Sequence, residues 1–223
     1  MDAKMISKNT RKSKDSSNNV LEFYFLAVRL KELIRTGWKQ WNVNETRLES
    51  VAEHIYGTCM LAIAMDSEYD YDVDLRKIIM MLVVHELEEI IISDITPFQG
   101  VSEEEKLERG HEAILQVLKN LNKGDNYCEL ILEFDARQTK ESKYAGMCDK
   151  LECNLMSLYY DSSHTYELKN ASKELQENAQ TIELSENGRL TMGECFYKYE
   201  LEKNRLDANF TEVLKDAWKV FRG

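Results

Sequence analysis

The sequence predicts an all-α protein, and three observations carry that expectation. Only one proline and nine glycines occur among 223 residues, too few breakers for a fold of many strands and tight turns. Leu75, Ile78, Leu82, His85 and Glu89 recur at three- and four-residue steps, the period of a helix face. Ser50 and Glu53 form an S-x-x-E capping box just ahead of another such stretch.

Taken in order, a first helix is expected over about 20–35, with Gly37 near its C-cap. The stretch 38–47 lacks periodicity and reads as a loop. A second helix starts at Ser50–Glu53, or at the competing Thr46–Glu49 box, and runs to about Met65, with His54, Thr58, Leu61 and Met65 on one face. An acidic connection, Asp66 to Asp74, leads to a third helix over about 74–93 whose first half is apolar nearly all round, as in a central core helix. Ser93-Asp94 stops it, ahead of Pro97. Further helices are expected at about 102–122, ended by Gly124, then 125–137, 141–163, 165–182 and 189–222. The last carries Phe210, Leu214, Trp218 and Phe221 on one stripe. No repeat, low-complexity tract or interdomain linker interrupts residues 20–223, which read as one helical domain.

The first 19 residues are polar throughout and read as a disordered tail with no signal peptide. The longest apolar run, Ile78 to Val84, is far too short to cross a bilayer. A net charge of −11 argues against non-specific binding to nucleic acid, which depends on a cationic surface. A small phosphorylated substrate stays compatible, because a bound ion and a few arginines reverse the field locally. The five cysteines, Cys59, Cys128, Cys148, Cys153 and Cys195, form no C-x-x-C pair and are odd in number, which fits free thiols in a reducing cytoplasm.

Chemistry is hinted at by His85, followed by Glu86, Glu88 and Glu89 on a segment that is otherwise core-like. Burying carboxylates is costly unless they are paired or bind a metal. Taken alone, the same segment also reads as a helix emerging into solvent. It is not a metalloprotease helix, since H-E-x-x-H requires a second histidine where this chain has Glu89. His54 alone reads equally as a packed side chain, and Asp149 as a surface residue beside Lys150 and Glu152.

In combination these segments mean more. Arg47-Leu48-Glu49-Ser50-Val51-Ala52-Glu53-His54 resembles the R-x-E-S-V-A-E-H segment of the HD-domain superfamily. Thirty-one residues on, His85-Glu86 stands where that family has His-Asp. Glu89 to Pro97 is similar to an E-x-x-x-G-D-I-T-P segment, and Asp149-Lys150-Leu151-Glu152 to D-K-L-E. The similarity spans about residues 35–160 and is strongest to the 5′-deoxynucleotidase and oxetanocin-A-protein-like branch; the C-terminal helices over about 165–222 carry no placed motif.

That resemblance implies an HD-type helical bundle in which His54, His85, Glu86 and Asp149 bind one divalent transition metal, Mn²⁺, Co²⁺, Fe²⁺ or Zn²⁺. It implies that Glu89 and Asp94 work beside the metal, and that Trp38, Arg35 and Arg47 contact substrate. The implied activity is hydrolysis of (deoxy)nucleoside 5′-monophosphates by a cytoplasmic homodimer. The alternatives are hydrolysis of another phosphoester, or a degenerate HD-domain protein that binds nucleotide or a partner without turnover because Glu86 replaces the family aspartate. Three departures from the branch stand out: Glu86 for aspartate, Gly37-Trp38 where an arginine normally precedes the tryptophan, and Ser93 for the glycine before Asp94.

Overall fold

Side-chain caps decide where most helices begin. In the computed structural model, which describes residues 18–222, the Asn18 carboxamide accepts from the backbone of Val20 and Leu21 and opens α1, Asn19–Ala27. Asn18 and Asn19, expected within a disordered tail, are instead a helix cap and a helical residue, and residues 1–17 of that expectation lie outside the described residues. Helix α1 tightens into a 3₁₀ turn, Val28–Lys31, rather than continuing to residue 35. The chain then runs extended, pairing through Arg35 N–H to Glu49 O and Val51 N–H to Leu33 O. A short α2, Thr36–Gln40, occupies part of the expected loop.

Of the two competing capping boxes, Ser50–Glu53 is the one that forms: it starts α3, Val51–Glu68, and satisfies backbone donors at both ends of the box. Asp74 caps α4, Leu75–Val84. The single helix expected over 74–93 is broken. Hydrogen bonds of the i→i+3 type take over at Leu87 N–H to Val84 O and Glu89 N–H to Glu86 O, before a one-turn α5, Glu89–Ile92. This tighter winding turns successive side chains by ~120° instead of ~100°, so the direction of His85 and Glu86 departs from that of an unbroken helix.

Ser93 ends α5 at φ 66°, ψ 167°, a region that essentially only glycine occupies without strain. Ser93→Gly is therefore expected to stabilise the protein by about 1 kcal/mol, the relieved strain outweighing glycine's extra unfolded-state entropy. Chemical denaturation of the metal-free protein measures this, and a lower midpoint would count against strain at Ser93.

Four longer helices follow: α6, Glu103–Leu118, capped by Ser102; α7, Gly124–Ala136; α8, Lys140–Ser163, capped by Thr139; and, after the 3₁₀ turn Leu168–Asn170 and two short helices, α11, Met192–Lys203. The helix expected over 165–182 is instead the pair α9, Lys173–Glu177, and α10, Ala179–Leu184, because Asn178 ends one and its side chain caps the other. The helix expected over 189–222 also divides. Asn204 adopts a left-handed conformation (φ 50°) after α11, and α12 resumes over Ala208–Arg222.

The long α8 is the hub, packing on α3, α4, α7, α11 and α12. Its apolar residues Tyr144, Ala145, Cys148 and Leu151 meet Ala62 and Met65 of α3, Ile78 and Leu82 of α4, and Phe210 and Leu214 of α12. Two smaller apolar clusters flank it, one around Val51, Leu87, Ile114 and Ile131, the other around Trp38, Trp41, Leu175, Met192 and Cys195. The hub also buries Asp149, Glu152, Asn154 and Asp161, polar groups that a purely structural core helix would not carry unpaired. No helix among the described residues is long and apolar enough to cross a membrane.

Candidate active site

Polar side chains buried along α8 mark where the chemistry lies. Asp149 meets His54 of α3 and the His85–Glu86 turn after α4, and one ligand atom from each of the four lies within 4.8 Å of all the others. Asp149 Oδ1 is 3.3 Å from His54 Nε2, and Glu86 Oε1 is 3.6 Å from His54 Nε2 and 3.4 Å from His85 Nε2. All four residues are buried.

The donor set fits a metal ion on an observation of the imidazoles themselves. His54 Nδ1 bonds Glu152 Oε2 at 2.5 Å, and His85 Nδ1 donates to Leu82 O at 2.7 Å. Carboxylate and carbonyl partners of this kind fix the ring so that Nε2 offers its lone pair. Both Nε2 atoms are buried and have no hydrogen-bond partner among the described residues, and both face carboxylates. A divalent cation satisfies the two nitrogens and the two acids together.

Charge around the cluster is organised for a cation. Burial and Arg35 push His54 toward neutrality, but Glu152, Cys153 and Asp149 outweigh them and raise its affinity for positive charge. Burial alone would protonate Asp149; Lys150, His54 and His85 instead hold it well below the usual carboxylate range. Beyond Glu152 lies Glu49, pushed up to about 8 by burial and by Glu152, and held by the Trp38 indole N–H at 2.8 Å. That upward shift favours the protonated form of Glu49, which tolerates Glu152 as its neighbour.

A cavity of about 430 Å³ opens beside the cluster, lined among others by Arg35, Trp38, His85, Glu86, Asp94 and Asp149. Arg35 reaches Glu86 Oε1 at 3.4 Å and Asp94 Oδ1 at 3.7 Å, while Asp94 Oδ2 accepts from Thr36 N–H at 2.5 Å. Glu89 is buried with neither carboxyl oxygen bonded among the described residues, and burial, with Glu86 and Asp94 nearby, raises its pKa well above the usual range. Trp38 stacks on Phe196 of α11 at 5.6 Å between centroids and meets Tyr160 edge-on, so only its margin reaches the cavity. Arg47 is different. Its side chain is 81% exposed and pairs with Glu53, and it is not among the lining residues.

The remaining matched segments are accounted for by relatives. A family model described as HD domain matches residues 27–188. The chain belongs to the HD-domain family. The 5′-deoxynucleotidase HDDC2 of Dictyostelium discoideum is 31% identical over 163 residues, covering 70% of this chain and 84% of that protein. The human protein of the same name is 30% identical over 148 residues, covering 65% and 70%. The HD-domain fold is matched by a crystal structure of a Pyrococcus horikoshii protein, with a TM-score of 0.62 at 22% identity, covering 89% of this chain and 98% of that one.

Glu86, where the resemblance leads one to expect an aspartate, comes within 3.6 Å of both imidazoles. Several site residues escaped the sequence reading. Glu152 stands three residues after Asp149, a spacing that brings two acids to one helix side. Lys106 of α6 donates to Ile95 O at 3.0 Å; burial lowers its pKa, yet Glu86, Glu89, Asp94 and Glu88 more than offset that. Lys150 Nζ lies 2.8 Å and Arg137 Nη2 3.8 Å from Asp149 Oδ2. Nothing local in the sequence marks Lys106 or Arg137, because only tertiary packing brings them to the cavity.

Proposed function

We propose that this HD-domain protein is a metal-dependent phosphohydrolase that converts (deoxy)nucleoside 5′-monophosphates to nucleoside and phosphate. The observation that carries the reading is the pair of orphaned imidazole nitrogens facing Glu86 and Asp149, beside a cavity lined by His85, Lys106, Arg137 and Lys150. Cations alone suit any anion; cations beside a divalent-metal donor set suit phosphoryl transfer, whose transition state needs charge neutralisation above all. The substrate class is supported by the relatives named 5′-deoxynucleotidase.

His54, His85, Glu86 and Asp149 hold one divalent transition ion, Mn²⁺, Co²⁺, Fe²⁺ or Zn²⁺. Such an ion supplies an acidified water and polarises a phosphoryl oxygen. Lys150 and Arg137 take the phosphate oxygens farther from the histidines, and Arg35 braces Glu86 and Asp94. Water attacks phosphorus in line with the leaving 5′-oxygen, whose bond to phosphorus breaks. Asp94, held by Thr36 N–H and Arg35, orients the water. Glu89, with no hydrogen-bond partner among the described residues, exchanges the proton that the leaving oxygen requires; general acid–base help of this kind is worth ~10²–10⁴-fold. Trp38 walls the sugar end of the cavity, whereas Arg47, on the surface, is given no part.

The expected homodimer is supported by an exposed apolar face. Tyr56, Met60 and Ile63 are exposed on α3, and Met80 and Val83 on α4, which packs against it; exposed apolar groups of this kind suit a protein interface. A reducing cytoplasm suits the five free cysteines.

Purified protein incubated with each nucleoside and 2′-deoxynucleoside 5′-monophosphate, with Mn²⁺ or Co²⁺ added, is expected to release phosphate, and a chelator to stop it. Folded, metal-loaded protein that releases none from the whole set would end this reading.

A further inference from the structure

Asn154 lies on the cavity wall, one turn beyond Asp149 on the same helix. Asp149, Lys150, Cys153 and Asn154 all line the cavity, the i, i+1, i+4, i+5 stripe of one helix side. At ~1.5 Å rise per residue, Asn154 stands ~7.5 Å along the axis from Asp149. On the proposed reading, that separation sets Asn154 apart from the metal end of the cavity and leaves it to face the nucleoside part of a substrate. Phe196 and Tyr199 of α11 line the cavity as well.

The state of its carboxamide is unusual. Asn154 Nδ2 donates to Lys150 O at 2.9 Å, which fixes the orientation of the amide, since a carbonyl accepts only from the nitrogen side. Its Oδ1 is buried with no hydrogen-bond partner among the described residues, and the residue is only 4% exposed. The other orphaned buried side-chain atoms belong to His54, His85, Glu88 and Glu89, all in the metal cluster or the acids adjoining it. An unpaired buried acceptor costs ~1–3 kcal/mol, and asparagine is a poor helix former besides. Such a cost is characteristic of a group kept for a ligand.

We propose that Asn154 determines substrate specificity: its Oδ1 accepts a hydrogen bond from a neutral donor, O–H or N–H, on the nucleoside part of the substrate. The inference rests on the nucleotide-phosphohydrolase reading and adds a recognition contact to it. A phosphoryl group cannot fill this role, since it presents acceptors and Oδ1 needs a donor. A sugar hydroxyl and a base N–H can.

The test combines Asn154→Leu with substrates that lack one donor at a time, so that enzyme and substrate each lose the same bond. Asn154→Leu is expected to leave the melting temperature of ligand-free protein unchanged or higher. It should lower kcat/KM for 2′-deoxynucleoside 5′-monophosphates about tenfold or more, chiefly through KM, and lower it far less for p-nitrophenyl phosphate, which has no nucleoside. Asn154→Ser, smaller and free of any packing clash, is carried through the same series. If the wild type loses a similar factor on 2′,3′-dideoxynucleotides and the variants do not, the donor is the sugar hydroxyl; if the factor follows base amino groups instead, it is the base. Equal losses on nucleotides and p-nitrophenyl phosphate, or variants that discriminate as the wild type does, overturn the role of Asn154 alone. Wild-type protein that hydrolyses p-nitrophenyl phosphate but no nucleotide overturns both this contact and the nucleotide reading beneath it.

Discussion

Asp149→Asn is expected to strip the divalent ion and lower turnover by ~10²–10³-fold or more, the range found on deleting one preorganised charge-stabilising group, while far-UV circular dichroism stays close to wild type. The substitution keeps the volume of a side chain that sits in the middle of α8, so the packing of Tyr144, Ala145, Cys148 and Leu151 is undisturbed. What it removes is one of only two carboxylates in the ligand set. It also leaves Lys150, 2.8 Å from Oδ2, and Arg137 facing a neutral amide, so positive charge next to an incoming cation is no longer offset. Both effects act in the same direction on metal affinity. Metal analysis after gentle purification, with activity on a nucleoside 5′-monophosphate, measures the outcome. An Asp149→Asn protein with wild-type metal content and activity would remove Asp149 from the ligand set and leave the cavity's chemistry without its anchor.

Much of this candidate site was legible because the proposed ligand residues lie inside short segments with strong local grammar. Ser50–Glu53 announces the start of α3 one residue before Val51, and that start sets His54 in the first turn. His85 and Glu86 close an apolar run that had to be a core helix. The break after Val84 was not legible, because the residues from Glu86 to Glu89 are good helix formers; burial beside His54 and Asp149 overrides their propensity. The C-terminal region misled for a related reason. Periodicity continues across Asn178 and Asn204, and nothing in a linear pattern distinguishes an exposed helical asparagine from one that caps or turns left-handed. The cations Lys106, Arg137 and Lys150, like Asn154, owe their meaning to what faces them across the cavity.

Gly57→Ala should weaken metal binding ~10–100-fold, the usual effect of disturbing a ligand's supporting partner, although residue 57 touches no ligand atom. Gly57 sits in the interior of α3, three residues after His54, where glycine costs ~1 kcal/mol relative to alanine. On propensity alone the substitution stabilises. A methyl group there would stand 2.6 Å from Glu152 Oε1, 3.0 Å from its Cγ and 3.1 Å from its Cδ, so the whole end of Glu152 must move. Glu152 is buried and its other oxygen holds His54 Nδ1, so it has little freedom to move without releasing the imidazole. The clash therefore transfers to His54, whose Nε2 faces the metal position, while helix propensity offsets part of the strain in the metal-free fold. The expected signature is a metal-free melting temperature close to wild type together with weaker metal affinity in a competitive chelator titration. Glu152→Gln, which keeps the shape and loses the charge, is expected to weaken metal affinity as well but without the steric strain. Unchanged metal affinity in Gly57→Ala would mean that Glu152 can swing aside freely, and that its bond to His54 plays no part in holding the ring.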